Sequence, residues 1–130
     1  MNKSDRARAL SDFLMEEGYS FKTDAEENIV LKVDGKTYFI TLDEQDEMFF
    51  RIIFPNFWSI DSANERLKVE QAALKATAFT KVAKIFTVGD NIWATVEIFS
   101  SSIDNVKLVF NRSFSALKTA VDFFVQELRK

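Results

Sequence analysis

The stretch NIVLKVDGKTYFITL, residues 28 to 42, decides how the chain folds. Asp34-Gly35 stands between two runs rich in β-branched and aromatic residues. An Asp-Gly pair readily takes the positive φ angles of a two-residue hairpin turn. With those two residues in the turn, Val33 pairs with Lys36, Leu31 with Tyr38 and Ile29 with Ile40. One face then carries Ile29, Leu31, Val33, Tyr38, Ile40 and Leu42, and the other Val30, Lys32, Thr37, Phe39 and Thr41. Strand side chains alternate, so a slip of one residue would turn the apolar set to water, and the register is well specified.

Working outward, Ser4 is placed to cap a first helix over about residues 5 to 17, with Asp5 in its first turn and Gly18 as its stop. Leu10, Phe13 and Leu14 share one side of it. Tyr19 to Glu27 reads as a polar connection with room for a short strand at Tyr19 to Lys22. Past the hairpin, the acidic Asp43 to Glu47 leads into a third strand, Met48 to Phe54, which Pro55 is expected to end. That strand is apolar on both sides: Phe50, Ile52 and Phe54 on one, Phe49 and Ile53 with Arg51 on the other.

Asp61 or Ser62 caps a second helix to about Ala78. Ala63, Leu67, Gln71, Leu74 and Ala78 form one stripe on it, and Val69, Ala72, Ala73 and Ala76 a second. Lys81 to Val88 and Ile92 to Phe99 make another hairpin; with Asp90-Asn91 as its loop, Lys84 faces Glu97. Ala83, Ile85, Ile92, Ala94, Val96 and Ile98 lie on one of its faces, and Phe86, Trp93 and Phe99 on the reverse. From Ile103 the apolar spacing is helical through Phe110, Leu117, Phe124 and Leu128, as one helix or as two meeting near Ser113. The expected architecture is α+β in the order α-β-β-β-α-β-β-α, an antiparallel twisted sheet packed with helices, and residues 1–130 form a single domain.

The inventory of reactive groups is poor. With no His and no Cys, the usual general base, the thiol nucleophile and the soft metal ligands are all missing. Gly18, Gly35 and Gly89 are isolated, so no Gly-rich phosphate loop exists. Ser100-Ser101-Ser102 has no nucleophile context and reads as a linker or cap. Asp43, Glu44, Asp46 and Glu47 do not follow an EF-hand pattern and read as a solvated turn guarding a Phe-rich strand. No enzyme, cofactor or metal site is expected; Arg51, Lys84 and the acidic loop are the only polar tools a catalyst would have.

Net charge is −3 and the basic residues are scattered, which argues against nucleic acid as a partner. No apolar run approaches the roughly 20 residues that a membrane span needs. The charged start Asn2-Lys3-Ser4-Asp5-Arg6 has no apolar leader core, so a cytoplasmic protein is expected.

Fourteen Phe against two Tyr and two Trp is the positive signal, because Phe has no polar tip and belongs in a core or at a contact surface. Phe39, Phe49, Ile53, Phe86, Trp93 and Phe99 fall on the second sheet face, too much apolar surface to stand in water unattended. Two readings fit. Either the second helix covers that face with its Ala stripe, or the face is a homodimer interface or a groove for a partner segment. Phe57 and Trp58 belong to its rim or to the core.

The segments LMEEGY (14–19), VDGKTYFITLD (33–43), KVAKIFTVGDNIWATVEIF (81–99) and ALKTAVDFF (116–124), taken in this order, resemble the YbjN-like family of bacterial proteins within the type III secretion chaperone-like fold. The resemblance runs from Arg6 to Leu128. It implies a small acidic homodimer that holds a protein segment against hydrophobic patches, or a regulator, and it carries over no catalytic residues. The expected function is a non-catalytic protein-binding module, chaperone-like or regulatory. The alternative is a small-molecule-sensing domain with a pocket between sheet and helices.

Overall fold

The computed structural model describes residues 2–130, and Met1 lies outside the described residues. The element order is α1 (Lys3–Glu16), β1 (Ser20–Thr23), β2 (Ile29–Val33), β3 (Lys36–Leu42), β4 (Phe49–Ser59), α2 (Ala63–Phe79), β5 (Ala83–Val88), β6 (Asn91–Phe99) and α3 (Ile103–Leu128). The strands form one antiparallel sheet in the order β1-β2-β3-β4-β6-β5. Four strands therefore precede α2, because the segment after Gly18 is a true strand and pairs with β2. The chain divides into two compact units, one running to Ile53 and including Glu97–Asn111, the other comprising Phe54–Val96 and Arg112–Lys130.

In the first unit the β2–β3 hairpin has the expected register, with Val33 opposite Lys36 and Ile29 opposite Ile40. Asp34 and Gly35 both take positive φ, 53° and 76°, the mirror-image turn whose twist matches that of the strands it joins. The face bearing Ile29, Leu31, Tyr38, Ile40 and Leu42 is buried, together with Phe50 and Ile52 of β4. Leu10 and Leu14 of α1 are fully buried as well. Phe110 of α3 gathers the aromatic contacts of this core: its ring meets Phe13 at 5.8 Å, Tyr19 at 5.6 Å and Phe50 at 6.1 Å, each edge to face. The cap of α1 is Asn2 rather than Ser4; the Asn2 side chain accepts from the Asp5 amide, while Ser4 donates to Glu27. Both residue types cap well, and a start two residues earlier brings Lys3 and Ser4 into the helix.

Two expectations fail in the second unit. β4 continues through Pro55 to Ser59 instead of stopping at Phe54. Asn56 adopts a left-handed φ of 52°, a conformation Asn tolerates better than most residues, and such a kink accommodates a proline that cannot donate to the ladder. The β5–β6 register also differs: Val88 pairs with Asn91 and Lys84 stands opposite Thr95, so Gly89-Asp90 form the turn. Gly89 has a φ of 59°, and a two-residue turn with positive φ at its first central position favours glycine there. The displacement is two residues in pairing, so the same side chains share each face, and Ala83, Ile85, Ile92, Ala94 and Val96 are buried.

The helix α2 is capped by Ser62, whose hydroxyl accepts from the Glu65 amide. It buries the small stripe of Val69, Ala72, Ala73 and Ala76 and leaves Leu67 and Leu74 exposed. Small side chains let it lie close to β5, an outer strand of the sheet. There the Thr77 hydroxyl accepts from the Ile85 amide at 2.9 Å and donates to the Ile85 carbonyl at 3.3 Å. α3 is one helix through Ser113, which is buried, and in this unit its Phe124 meets Phe57 at 5.5 Å and Trp58 at 5.8 Å.

Replacing Thr77 by Val keeps the shape but leaves both backbone groups of Ile85 without this partner. The expected loss is about 1–2 kcal/mol of unfolding free energy, read from the urea midpoint.

Candidate protein-binding surface

The six residues singled out on the second sheet face fall into two groups, one in each unit. In the first unit Phe39 stands directly opposite Ile53, and Thr41 opposite Arg51. Ile53 is 6% exposed and thus sealed by its neighbours, while Phe39 is half-buried. Arg51 donates from Nε to the Thr41 hydroxyl at 3.2 Å, and its guanidinium carbon lies 6.0 Å from the centre of the Phe49 ring. That distance lies at the outer limit of a cation–π contact. Phe49 in turn meets Phe99 at 5.8 Å in a tilted arrangement. Phe99 is 71% exposed, and Met48 beside Phe49 is 50% exposed. The Ser100 amide donates to the Met48 carbonyl at 2.7 Å, which holds the end of β6 against the start of β4 and so fixes this pair.

In the second unit Phe86 and Trp93 are direct cross-strand partners, their rings 6.5 Å apart, and both are half-buried. The Trp93 indole donates to the Asn56 side-chain carbonyl at 2.9 Å. Asn56 was not legible as a contributor, since its role depends on the left-handed turn after Pro55. Phe57 and Trp58 are half-buried and pack against Phe124, which is fully buried. Phe79 at the end of α2 is also 71% exposed and touches Phe123 at 6.1 Å. Of the 14 phenylalanines, Phe50, Phe110, Phe114 and Phe124 are buried, and Phe79 and Phe99 stand open.

Several carboxylates hold their own loops. Asp43 accepts from the amides of Gln45 and Asp46, and Asp46 accepts from that of Met48, so the acidic loop is a chain of side-chain-capped turns. Asp24 does the same for Glu26 and Asn28. Among the described residues no three His, Cys, Asp or Glu side chains converge on a point where a metal would sit. Nor is any helix of the described residues long and apolar enough to cross a membrane.

The fold is shared with solved structures of low sequence identity. YbjN from E. coli, described as a candidate transcription regulator, superposes with a TM-score of 0.66 at 12% identity, covering 88% of this chain and 87% of that one. The Yersinia pestis type III secretion chaperone SycH, solved in complex with a stable fragment of YscM2, gives 0.61 at 14% identity over 91% and 98% of the two chains. An uncharacterized protein from Methanothermobacter thermautotrophicus gives 0.61 at 14% identity over 95% and 99%. No protein-family model matches the sequence, and no curated protein matches it significantly. The chain therefore has the α+β fold of YbjN and of the secretion chaperone SycH, with a six-stranded antiparallel sheet and three helices.

The capped turns have a pH signature. The Asp46 amide first, then that of Gln45, holds the Asp43 carboxyl below its ordinary value of 3.8; Asn28 does this chiefly for Asp24. A depressed folded-state pKa gives a contribution that is complete above the unfolded value and lost as pH falls through the folded one. Thermal stability should therefore decline as pH falls below about 4, and Asp43→Ala should show a shallower decline in melting scans down to about pH 2.

Proposed function

We propose that the chain is a protein-binding module that grips a segment of a partner protein through the open aromatic pair Phe49–Phe99, with Phe39 beside Phe49's strand and Met48 as a pliable margin. The observation that carries this reading is the position of Phe99, 71% exposed, while its ring rests on a neighbour that Arg51 approaches. A large ring with no polar tip gains little from water and much from a partner's apolar side chain. Aromatic anchors at the middle of a patch dominate association energies, and methionine adapts to varied shapes.

The likeness to SycH supports the same reading, since that chaperone was solved holding a fragment of another protein. Phe86 and Trp93 offer a second aromatic pair of the same kind, with the indole N–H already bonded to Asn56 so that its apolar surface is what remains to give. The partner is a protein segment rather than nucleic acid, in keeping with the net charge of −3. A homodimer and a cytoplasmic site of action belong to this proposal, and the reaction chemistry of an enzyme does not.

Phe99→Ala should change stability by no more than about 0.5 kcal/mol, because the ring is mostly in water, whereas Phe110→Ala should lose about 3–5 kcal/mol. Affinity capture from native lysate with the wild type and Phe99→Ala, compared by mass spectrometry, should show a defined protein lost with the ring. Equal capture by both would remove this surface from consideration. Light scattering at high concentration should give twice the chain mass; a monomer there would remove the homodimer and leave the aromatic surface to be judged by the capture.

A further inference from the structure

Arg6 is 5% exposed, an unusual place for a guanidinium, which keeps its charge at any ordinary pH and cannot relieve burial by losing a proton. Its Nη2 donates to the Asp43 carbonyl at 2.6 Å. Nε and Nη1 are buried and meet no acceptor among the described residues. Buried donors are almost always paired, and a buried charge with open donors is unfavourable until an acceptor arrives.

The side chain lines a cavity of about 350 Å³ in the first unit, together with Glu47, Met48, Ser102, Asp104 and Lys107. Ser102 opens α3: its hydroxyl accepts from the Asn105 amide and its carbonyl from the Val106 amide. The amides of Ile103 and Asp104 have no acceptor within the helix by its geometry, and the helix dipole makes that end attractive to anions. Two of the nearby carboxylates already have partners. Asp104 is 86% exposed and lies 3.8 Å from the Lys107 ammonium, and Asp43 Oδ1 serves the amides of Gln45 and Asp46. The arrangement asks for one more negative charge beside Arg6, and no more than one, because Glu47 and Asp104 at the wall repel a second.

We propose that this cavity is a carboxylate-binding site in which Arg6 supplies the charge, the first turn of α3 supplies amides, and Lys107 steers the ligand in. A planar carboxylate matches the guanidinium fork better than a dianionic phosphate matches the whole wall. One hydrogen bond, to Asp43, holds the Arg6 head, and binding requires a rotation that turns the buried Nε and Nη1 toward the incoming oxygens. The carboxylate has two sources, a small free acid or the C-terminus of a peptide. The site does not rest on the aromatic surface proposed above.

Calorimetric titration of the full chain with acetate, with a pentapeptide bearing a free C-terminus, with the same peptide amidated, and with inorganic phosphate tests this. Saturable binding of acetate, or of the free but not the amidated peptide, supports the site, and the tighter of the two names the source. Arg6→Gln should weaken binding about tenfold or more, Lys107→Ala should weaken it less, and Glu47→Gln should strengthen it. Arg8→Gln, on an exposed arginine of the same helix, should leave it unchanged. No saturable carboxylate binding, equal affinity in Arg6→Gln, or tighter binding of phosphate would overturn the proposal. Should Arg6→Gln fail to fold by circular dichroism, the opposite effects of Lys107→Ala and Glu47→Gln decide, and their absence overturns it.

Discussion

The burial of two phenylalanine rings from one helix is the constraint on which the remainder depends. Phe110 and Phe124 lie about four turns apart on α3, and each is fully buried in its own unit. Phe110 collects Phe13, Tyr19 and Phe50, and so ties α1, the segment after it and β4 to one point. Phe124 collects Phe57 and Trp58 in the same manner. Phe carries no polar atom, so these rings can be sealed without any hydrogen-bonding partner, and burying each is worth about 1.5–3 kcal/mol. The short polar connections and the caps of the helices adjust to that demand.

Most of the architecture could be read from local chemistry. Asp34-Gly35 specified the first hairpin and its register, and Ser62 the start of α2. The second hairpin was read two residues out in its pairing, because Asp90-Asn91 and Gly89-Asp90 are both plausible loops until the positive φ at Gly89 selects one. Pro55 was a reasonable strand end that a left-handed Asn56 circumvented. The site was less legible, for a physical reason. Whether Phe99 stands open and Ile53 is sealed depends on which residues crowd each of them, and alternation tells only which face they share. The partnerships of Arg6 with Asp43 and of Trp93 with Asn56 span 37 residues each, and nothing local announces them.

A fold shared at 12–14% identity with YbjN and SycH shows how little of the residue detail this architecture needs. Such distance carries the arrangement of elements, not the chemistry of a site. Function in this chain must therefore be sought in its own departures from thrift: a guanidinium buried with open donors and a phenylalanine left in water. Both are features that stability alone would not select.

Thr77 has one more implication. A strand at the border of a sheet is a template on which further strands can lay themselves, and repeated addition ends in fibres. By taking both outward-facing groups of Ile85 with a single hydroxyl, α2 occupies the middle of the β5 border. The other border of the sheet is β1, where Ser20–Thr23 offers only four residues. A border occupied at its middle and a border of four residues are both poor templates for repeated addition.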